Sequence, residues 1–464
     1  MEKEINLAQI DQVFEQQQAF FKSGATRSYE FRIKQLNLIK ALVKENEQAI
    51  LDALKQDLGK HSFEAFSSEI GTVMQELNHS MDHLRQWMEN VAVDTPLVHQ
   101  PARTFIMHDP LGVVLIVAPW NYPFMLCITP LISAIAAGNC VFIKPSNQTK
   151  ATSALIQRLI SKYFKPEYMF VVEGPGAVVG TELISKHRFD RVFFTGSKEI
   201  GIEIMKMAAE HLSPVTLELG GKSPAIVDEN VNIQIAAKRI VWGKFWNAGQ
   251  TCVAPDYVLV HESIYNEFID AAKTALESFF GNNPQQSESF GRIVNQKRLN
   301  TLKTYLSGGE IICGGTFDES ALYFAPTLMK NINLDSSIMK EEIFGPILPI
   351  ISYSSKEDVL KIVDRNPYPL ACYLFTKKQS FEKYFLEKIR FGGGAINMPL
   401  IQFAHFGIPV GGVGFSGMGS YHGKTGFDTF SHQKPIIKTG YFPDIPIRYA
   451  PFMKVSKLVR WLMS

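Results

Sequence analysis

Between residues 6 and 90, Leu, Ile, Phe and Val recur at steps of three and four, the spacing that gathers apolar side chains on one face of a helix. The chain therefore opens with long helices. From residue 112 the period changes: short apolar runs at 112–117, 140–144, 168–172, 190–194 and 214–218 alternate with helix-like segments. Runs without polar alternation suit strands covered on both faces, as in a parallel sheet. The repeated βα unit predicts an α/β fold with an open, doubly wound parallel sheet. After Gly220 a second α/β region begins, with a helix over roughly 233–247 and strands near 256–260, 347–352 and 371–375 among further helices. The stretch 404–426, rich in glycine and aromatic residues, reads as ordered loop.

Length and composition narrow the picture. A chain of 464 residues makes two or three domains, and 46% hydrophobic with 20% charged residues is ordinary for a globular protein. A net charge of +2 without long blocks of like charge gives no reason to expect a nucleic-acid partner. Leu111 to Ile143 carries no Asp, Glu, Lys, Arg or His, but Pro119, Asn121, Pro123, Pro130, Gly138 and Asn139 interrupt it, so no transmembrane anchor is expected there. Cys127, Cys140, Cys252, Cys313 and Cys372 sit singly, which argues against a disulfide framework or a metal site. With no apolar signal core at Met1-Glu2-Lys3-Glu4, the expected location is cytoplasmic. The tail from Tyr449 to Ser464 mixes Lys454, Lys457 and Arg460 with apolar residues and reads as an amphipathic cap on the core, with a weak interfacial role as the alternative.

The chemistry centres on Cys252 in Asn247-Ala248-Gly249-Gln250-Thr251-Cys252, with Glu218 upstream in Leu217-Glu218-Leu219-Gly220-Gly221-Lys222. A cysteine attacks as its thiolate and needs a partly exposed, electropositive setting, such as backbone N–H groups on a turn. Gly249 relaxes the backbone so that Cys252 can project, and a nearby carboxylate could activate water against a thioester. Asn121, in Pro119-Trp120-Asn121-Tyr122-Pro123, offers a neutral N–H donor suited to an oxyanion hole, while a turn capping the next helix explains the segment equally well. Phe193-Phe194-Thr195-Gly196-Ser197 carries an apolar strand into a small-residue turn and a helix, where free N–H groups could meet an anion; a plain helix start is the alternative, and the position at the carboxyl end of a parallel strand favours the anion site. Lys144, in Lys144-Pro145-Ser146, could bond ribose hydroxyls or a phosphate. Glu342 and Phe344, in Glu342-Ile343-Phe344-Gly345-Pro346, could hold a ribose and pack on a flat ring. The one GxGxxG match, Gly412 to Gly417, follows glycines rather than a strand and reads as a structural loop.

In this order and spacing, these segments and the run Gly417 to Pro435 resemble the aldehyde dehydrogenase superfamily over essentially the whole chain. The short N-terminus and that last run look like its class 3 branch, which includes fatty and aromatic aldehyde dehydrogenases. The resemblance implies a Rossmann-type cofactor domain over 1–91 and 108–217 and an α/β catalytic domain over 218–420. It also implies an oligomerisation element over 92–107 and 428–445, a tail over 446–464, and a homodimer. Cys252 would be the nucleophile, Asn121 with the Cys252 N–H the oxyanion hole, and Glu218 the base that releases the acid from a thioester after hydride transfer. NAD or NADP would be held by Lys144, Asn147, Gly196, Ser197, Glu342 and Phe344.

One position departs from the pattern of NAD-preferring relatives, where a glutamate follows the lysine by three residues: here it is Asn147. The loss of that carboxylate implies that NADP is accepted at least comparably with NAD. Tyr122, Trp242 and Trp246 flank the motif positions expected to line the substrate tunnel, and aromatic walls favour apolar aldehydes. Transfer of the acyl group to coenzyme A is the rival chemistry, and Glu218 argues against it. A non-catalytic binding protein is the rival from another class, and the intact Cys252, Glu218 and Asn121 argue against that.

Overall fold

The computed structural model describes residues 7–444, 448–451, 455 and 457–463, so Lys454 of the tail lies outside the described residues. The helical opening is Leu7–Lys22, Tyr29–Glu45, Glu47–Leu58 and Ser62–Ala65, which passes through a π-helical turn, Phe66–Ile70, into Gly71–Met88. The Ser28 hydroxyl accepts the Phe31 N–H to cap the second helix, and Gly59, at φ +64°, ends the third in the left-handed region.

The five apolar runs form the strands Val113–Val117, Cys140–Lys144, Met169–Val171, Arg191–Thr195 and Val215–Glu218, all parallel. Arg191–Thr195 lies beside Val113–Val117, so the chain reverses its direction of winding between these two strands. Loops leaving the carboxyl ends of strands at such a switch point part to form a crevice. Here those loops carry Asn121 and Gly196. Between the first two strands runs the helix Met125–Ala137, with every residue buried. Full burial of a side chain such as Leu131 or Ile135 stabilises by about 1.5–3 kcal/mol, which accounts for the charge-free stretch. Among the described residues no helix is long and apolar enough to cross a membrane.

The second sheet has seven strands in the order Glu310–Cys313, Thr327–Lys330, Ile347–Tyr353, Tyr257–His261, Pro224–Val227, Ala371–Phe375, Gly393–Ile396. The strands 224–227, 310–313, 327–330 and 393–396 are not predicted from the sequence, where Pro224, Glu310, Lys330 and Gly393-Gly394 break up their apolar runs. The 404–426 stretch is less loop-like than its composition suggests. It contains the two-residue strand Gly417–Met418, which pairs antiparallel with Glu218 and Leu217, and the start of the helix Gly423–Thr429. Gly417–Met418 therefore belongs to the first sheet, although it falls in the span 218–420 expected for the catalytic domain.

Two cores result. One gathers buried residues between Ile10 and Leu219 and adds Val410, Tyr421, Phe427 and Phe430; the other is drawn from Ala225 to Ile389. A third, antiparallel sheet stands apart: Val91–Val93 pairs with Ala102–Pro110, which pairs along its whole length with Ser431–Thr439. The tail differs from a cap on the core. Its helix Lys457–Met463 lies by the turn Leu97–His99 of this small sheet, and the Arg448 guanidinium donates to the Val98 carbonyl at 3.1 Å.

Candidate active site

The helix Ile233–Phe245 ends in a turn with three successive left-handed residues, Asn247 (φ +52°), Ala248 (φ +50°) and Gly249 (φ +74°). A Cβ on Gly249 would lie 2.3 Å from the Gly345 carbonyl oxygen, so only glycine fits. Such backbone persists when its surroundings over-determine it. The Asn247 N–H donates to the Glu64 carboxyl at 2.8 Å, and its side-chain amide donates to the carbonyls of Asn121 (2.8 Å) and Gln250 (3.1 Å). The Gln250 side chain donates to the Arg292 carbonyl and accepts the Val294 N–H. This turn presents Cys252 half-buried.

Cys252 stands where two cavities meet. A polar cleft of about 880 Å³ runs past Asn121, Gly196, Ser197, Glu218, Glu342 and Phe344; an apolar cavity of about 450 Å³ is walled by Tyr122, Trp242, Trp246, Phe63, Leu400 and Phe403. Cys252 lines both. The indoles of Trp242 and Trp246 lie 5.4 Å apart, and the Tyr122 hydroxyl is 2.5 Å from that of Thr251.

The electrostatics differ from the electropositive setting expected for a nucleophilic cysteine. Burial, with Glu342 and Glu218 behind it, pushes the Cys252 thiol up to about 12, and only the backbone N–H groups of Cys252 and Val253 act the other way. Burial also raises Glu342 to about 8 and Glu218 well above the carboxylate range; Oε1 of Glu218 has no partner. The Asn121 amide donates to the Gln250 carbonyl at 3.1 Å.

Lys144 and Asn147 are not among the cleft-lining residues, although both were read as cofactor ligands. The Lys144 ammonium donates to the Pro145 carbonyl at 2.7 Å, and burial lowers it to about 8. Asn147 is exposed, and its neighbour Gln148 reaches the lining instead.

The cleft fits a dinucleotide on its own features. A Cβ on Gly196 would meet the Phe194 ring at 2.4 Å, and one on Gly220 the Glu342 carboxylate at 2.0 Å, so both positions leave backbone bare. Ser197 caps the helix Lys198–Glu210, and Ser197, Lys198 and Glu199 line the cleft, which puts a helix N-terminus, a setting suited to an anion, on its wall. The rings of Trp120 and Phe344 pack edge to face, 5.2 Å apart and 80° between planes, and both line the cleft as apolar surface.

Residues 3–436 match the aldehyde dehydrogenase family. The chain belongs to the aldehyde dehydrogenase family. It is 46% identical over 430 residues to 4,4'-diaponeurosporen-aldehyde dehydrogenase of Staphylococcus aureus, covering 92% of this chain and 93% of that one. It is 41% identical over 417 residues to the dimeric NADP-preferring aldehyde dehydrogenase of Rattus norvegicus, covering 90% and 92%. Among solved structures, the substrate-bound state of Staphylococcus aureus AldH superimposes with a TM-score of 0.95 at 44% identity, covering 98% of this chain and 99% of that one. The protein is thus an NAD(P)-dependent aldehyde dehydrogenase with the family's fold.

The N-terminal contribution to this aldehyde dehydrogenase site leaves no signal in the local sequence pattern. Glu64 and Glu69, five positions apart across the π-helical turn, both point inward, and Lys60 pairs with Glu69. Burial raises Glu64 to about 7. Arg298 was also overlooked: its guanidinium donates to the carbonyls of Glu342, Ile343 and Phe344 and so fixes the segment that carries two cleft residues. Apart from the Lys60–Glu69 pair, nine positions apart, these contacts span 44 to 183 positions along the chain, beyond any local pattern.

Proposed function

We propose that this aldehyde dehydrogenase oxidises apolar aldehydes, medium-chain aliphatic or aromatic, to carboxylic acids through a thiohemiacetal and a thioester on Cys252. The observation that carries the reading is Cys252 on the shared wall of a polar cleft and an apolar cavity. An aldehyde whose tail fills the apolar cavity brings its carbonyl carbon to the sulfur. Cys252 adds as its thiolate, the thiol proton having passed to solvent, and the charge moves to the former carbonyl oxygen, where the Asn121 amide and the Cys252 N–H stabilise it. NAD or NADP, when bound, supplies the hydride acceptor; Gly196, Ser197, Glu342 and Phe344 would hold it in the cleft. Lys144 and Asn147 would take the adenine ribose, Lys144 through the ammonium N–H groups that its bond to Pro145 leaves free. Glu218, whose proton affinity is raised by burial, takes a proton from water as that water attacks the thioester. Glu342 also faces Cys252, which supports it as a second proton acceptor.

Steady-state kinetics test both specificity claims. Hexanal and benzaldehyde should show higher kcat/KM than acetaldehyde or a phosphorylated aldehyde, and the reverse order would end the apolar reading. NADP should be used at least comparably with NAD, and Asn147→Glu should shift the ratio towards NAD; an NADP efficiency about a hundredfold lower, or about 2.7 kcal/mol, would remove the role given to Asn147.

The relative described as dimeric supports a homodimer here. The small antiparallel sheet, where Val91, Val93, Leu97 and Ile437 are exposed, is the surface we assign to it. Sedimentation should give a dimer that Ile437→Asp weakens, whereas a monomeric parent would discard the assignment.

A further inference from the structure

We propose that the buried Lys60–Glu69 ion pair positions the Asn121 amide for catalysis, an inference that rests on Asn121 as oxyanion donor. Both side chains are fully buried, with Lys60 Nζ 2.5 Å from Glu69 Oε1. The pair grips one short loop at four points. Lys60 donates to the Asn121 carbonyl at 3.1 Å, and its ammonium lies 4.2 Å from the centre of the Tyr122 ring. The other oxygen of Glu69 accepts the N–H groups of Phe124 and Met125, each at 3.0 Å, at the start of the buried helix Met125–Ala137.

The Asn121 carbonyl is also where the Cys252 turn attaches, through the Asn247 amide. Lys60 and Asn247 thus converge on one oxygen and fix the peptide from which the Asn121 side chain departs. Removing two charges from water is unfavourable, and an apolar pair of similar size often holds a core as well. An apolar pair cannot supply directed bonds to one carbonyl and two amides. Because Glu69 neutralises Lys60 at contact distance, the pair adds little net field at the oxyanion. Its effect is positional, felt in kcat rather than in cofactor KM. Displacements of the order of 1 Å at a reacting centre lower rates about a hundredfold.

The test is a cycle between Lys60→Met/Glu69→Gln and Asn121→Ala, read as kcat with hexanal, cofactor KM, melting temperature and the rate of Cys252 alkylation by iodoacetamide. Alkylation needs no oxyanion hole. The paired variant should stay folded, keep cofactor KM and the alkylation rate, and lose about 10–100-fold in kcat. Asn121→Ala should lower kcat by about 10²–10³ in the parent and by much less in the paired variant, because the amide is already misplaced there. A paired variant within about twofold of parental kcat, or an Asn121→Ala effect equal in both backgrounds, would reduce the pair to a structural role. No effect of Asn121→Ala in the parent would instead overturn the oxyanion reading. Should the paired variant fail to fold, Glu69→Asp decides: it keeps the charges but withdraws the reach of the carboxylate, and an unchanged kcat would overturn the proposal.

Discussion

Replacing Cys252 by Ser is expected to lower kcat by about 10⁴-fold or more, the scale seen when a covalent nucleophile is removed. Serine keeps the shape but not the acidity, and the setting makes that difference large. Burial and the carboxylates of Glu342 and Glu218 hold even the thiol up at about 12, so an alcohol there stays protonated throughout the working range. The same feature sets the pH dependence of the parent. A raised pKa leaves little thiolate at neutral pH, and that fraction grows about tenfold per pH unit below the pKa. Alkylation of the free enzyme by iodoacetamide should therefore climb steeply from pH 7 to 9 and be absent in Cys252→Ser. Residual turnover in the variant above about one per cent of the parent would remove Cys252 from the centre of the mechanism.

Glu218→Gln separates the two halves of the reaction. Loss of a positioned base costs about 10²–10⁴-fold, and here it falls on hydrolysis of the thioester. The amide is nearly isosteric, and Oε1 of Glu218 has no partner to lose, so the fold should tolerate it. The variant should give a rapid burst of reduced cofactor, close to one equivalent per site, followed by slow turnover. Hydroxylamine should then release the trapped acyl group as a hydroxamate. Loss of the burst itself would assign Glu218 to deprotonation of the thiol, and full steady-state turnover would move the water-activating role to Glu342. Release of acyl-CoA in place of acid would replace hydrolysis by acyl transfer.

Much of this architecture is legible from the chain. The five buried strands announced themselves because a strand covered on both faces has no polar alternation, and Val113–Val117 and Cys140–Lys144 are nearly pure apolar runs. Glycines at close approaches were equally visible: Gly249 against the Gly345 backbone and Gly196 against the Phe194 ring. Lys144 shows the limit of motif reading, since a motif names the residue but not the direction of its ammonium, here towards Pro145. Phe415 marks another limit. It lies in the glycine-rich stretch read as structural, yet its ring lines the cleft. The Lys60, Glu64 and Glu69 cluster was hidden because charged residues ordinarily face water, and only the tertiary fold buries these three.

The division of the cores also constrains the order in which the chain can fold. The second core is drawn from Ala225 to Ile389, a continuous stretch, whereas the first needs Val410, Tyr421, Phe427 and Phe430 to close over residues made long before. On the ribosome, at about 5–20 residues per second, the N-terminal part waits roughly 10–40 s for those side chains after Leu219 is synthesised. The downstream unit can finish first, while the strand ending in Glu218 remains an open edge. Gly417–Met418 closes that edge. A nascent chain stalled before residue 417 therefore exposes an unpaired strand, a site for chaperone capture or aggregation.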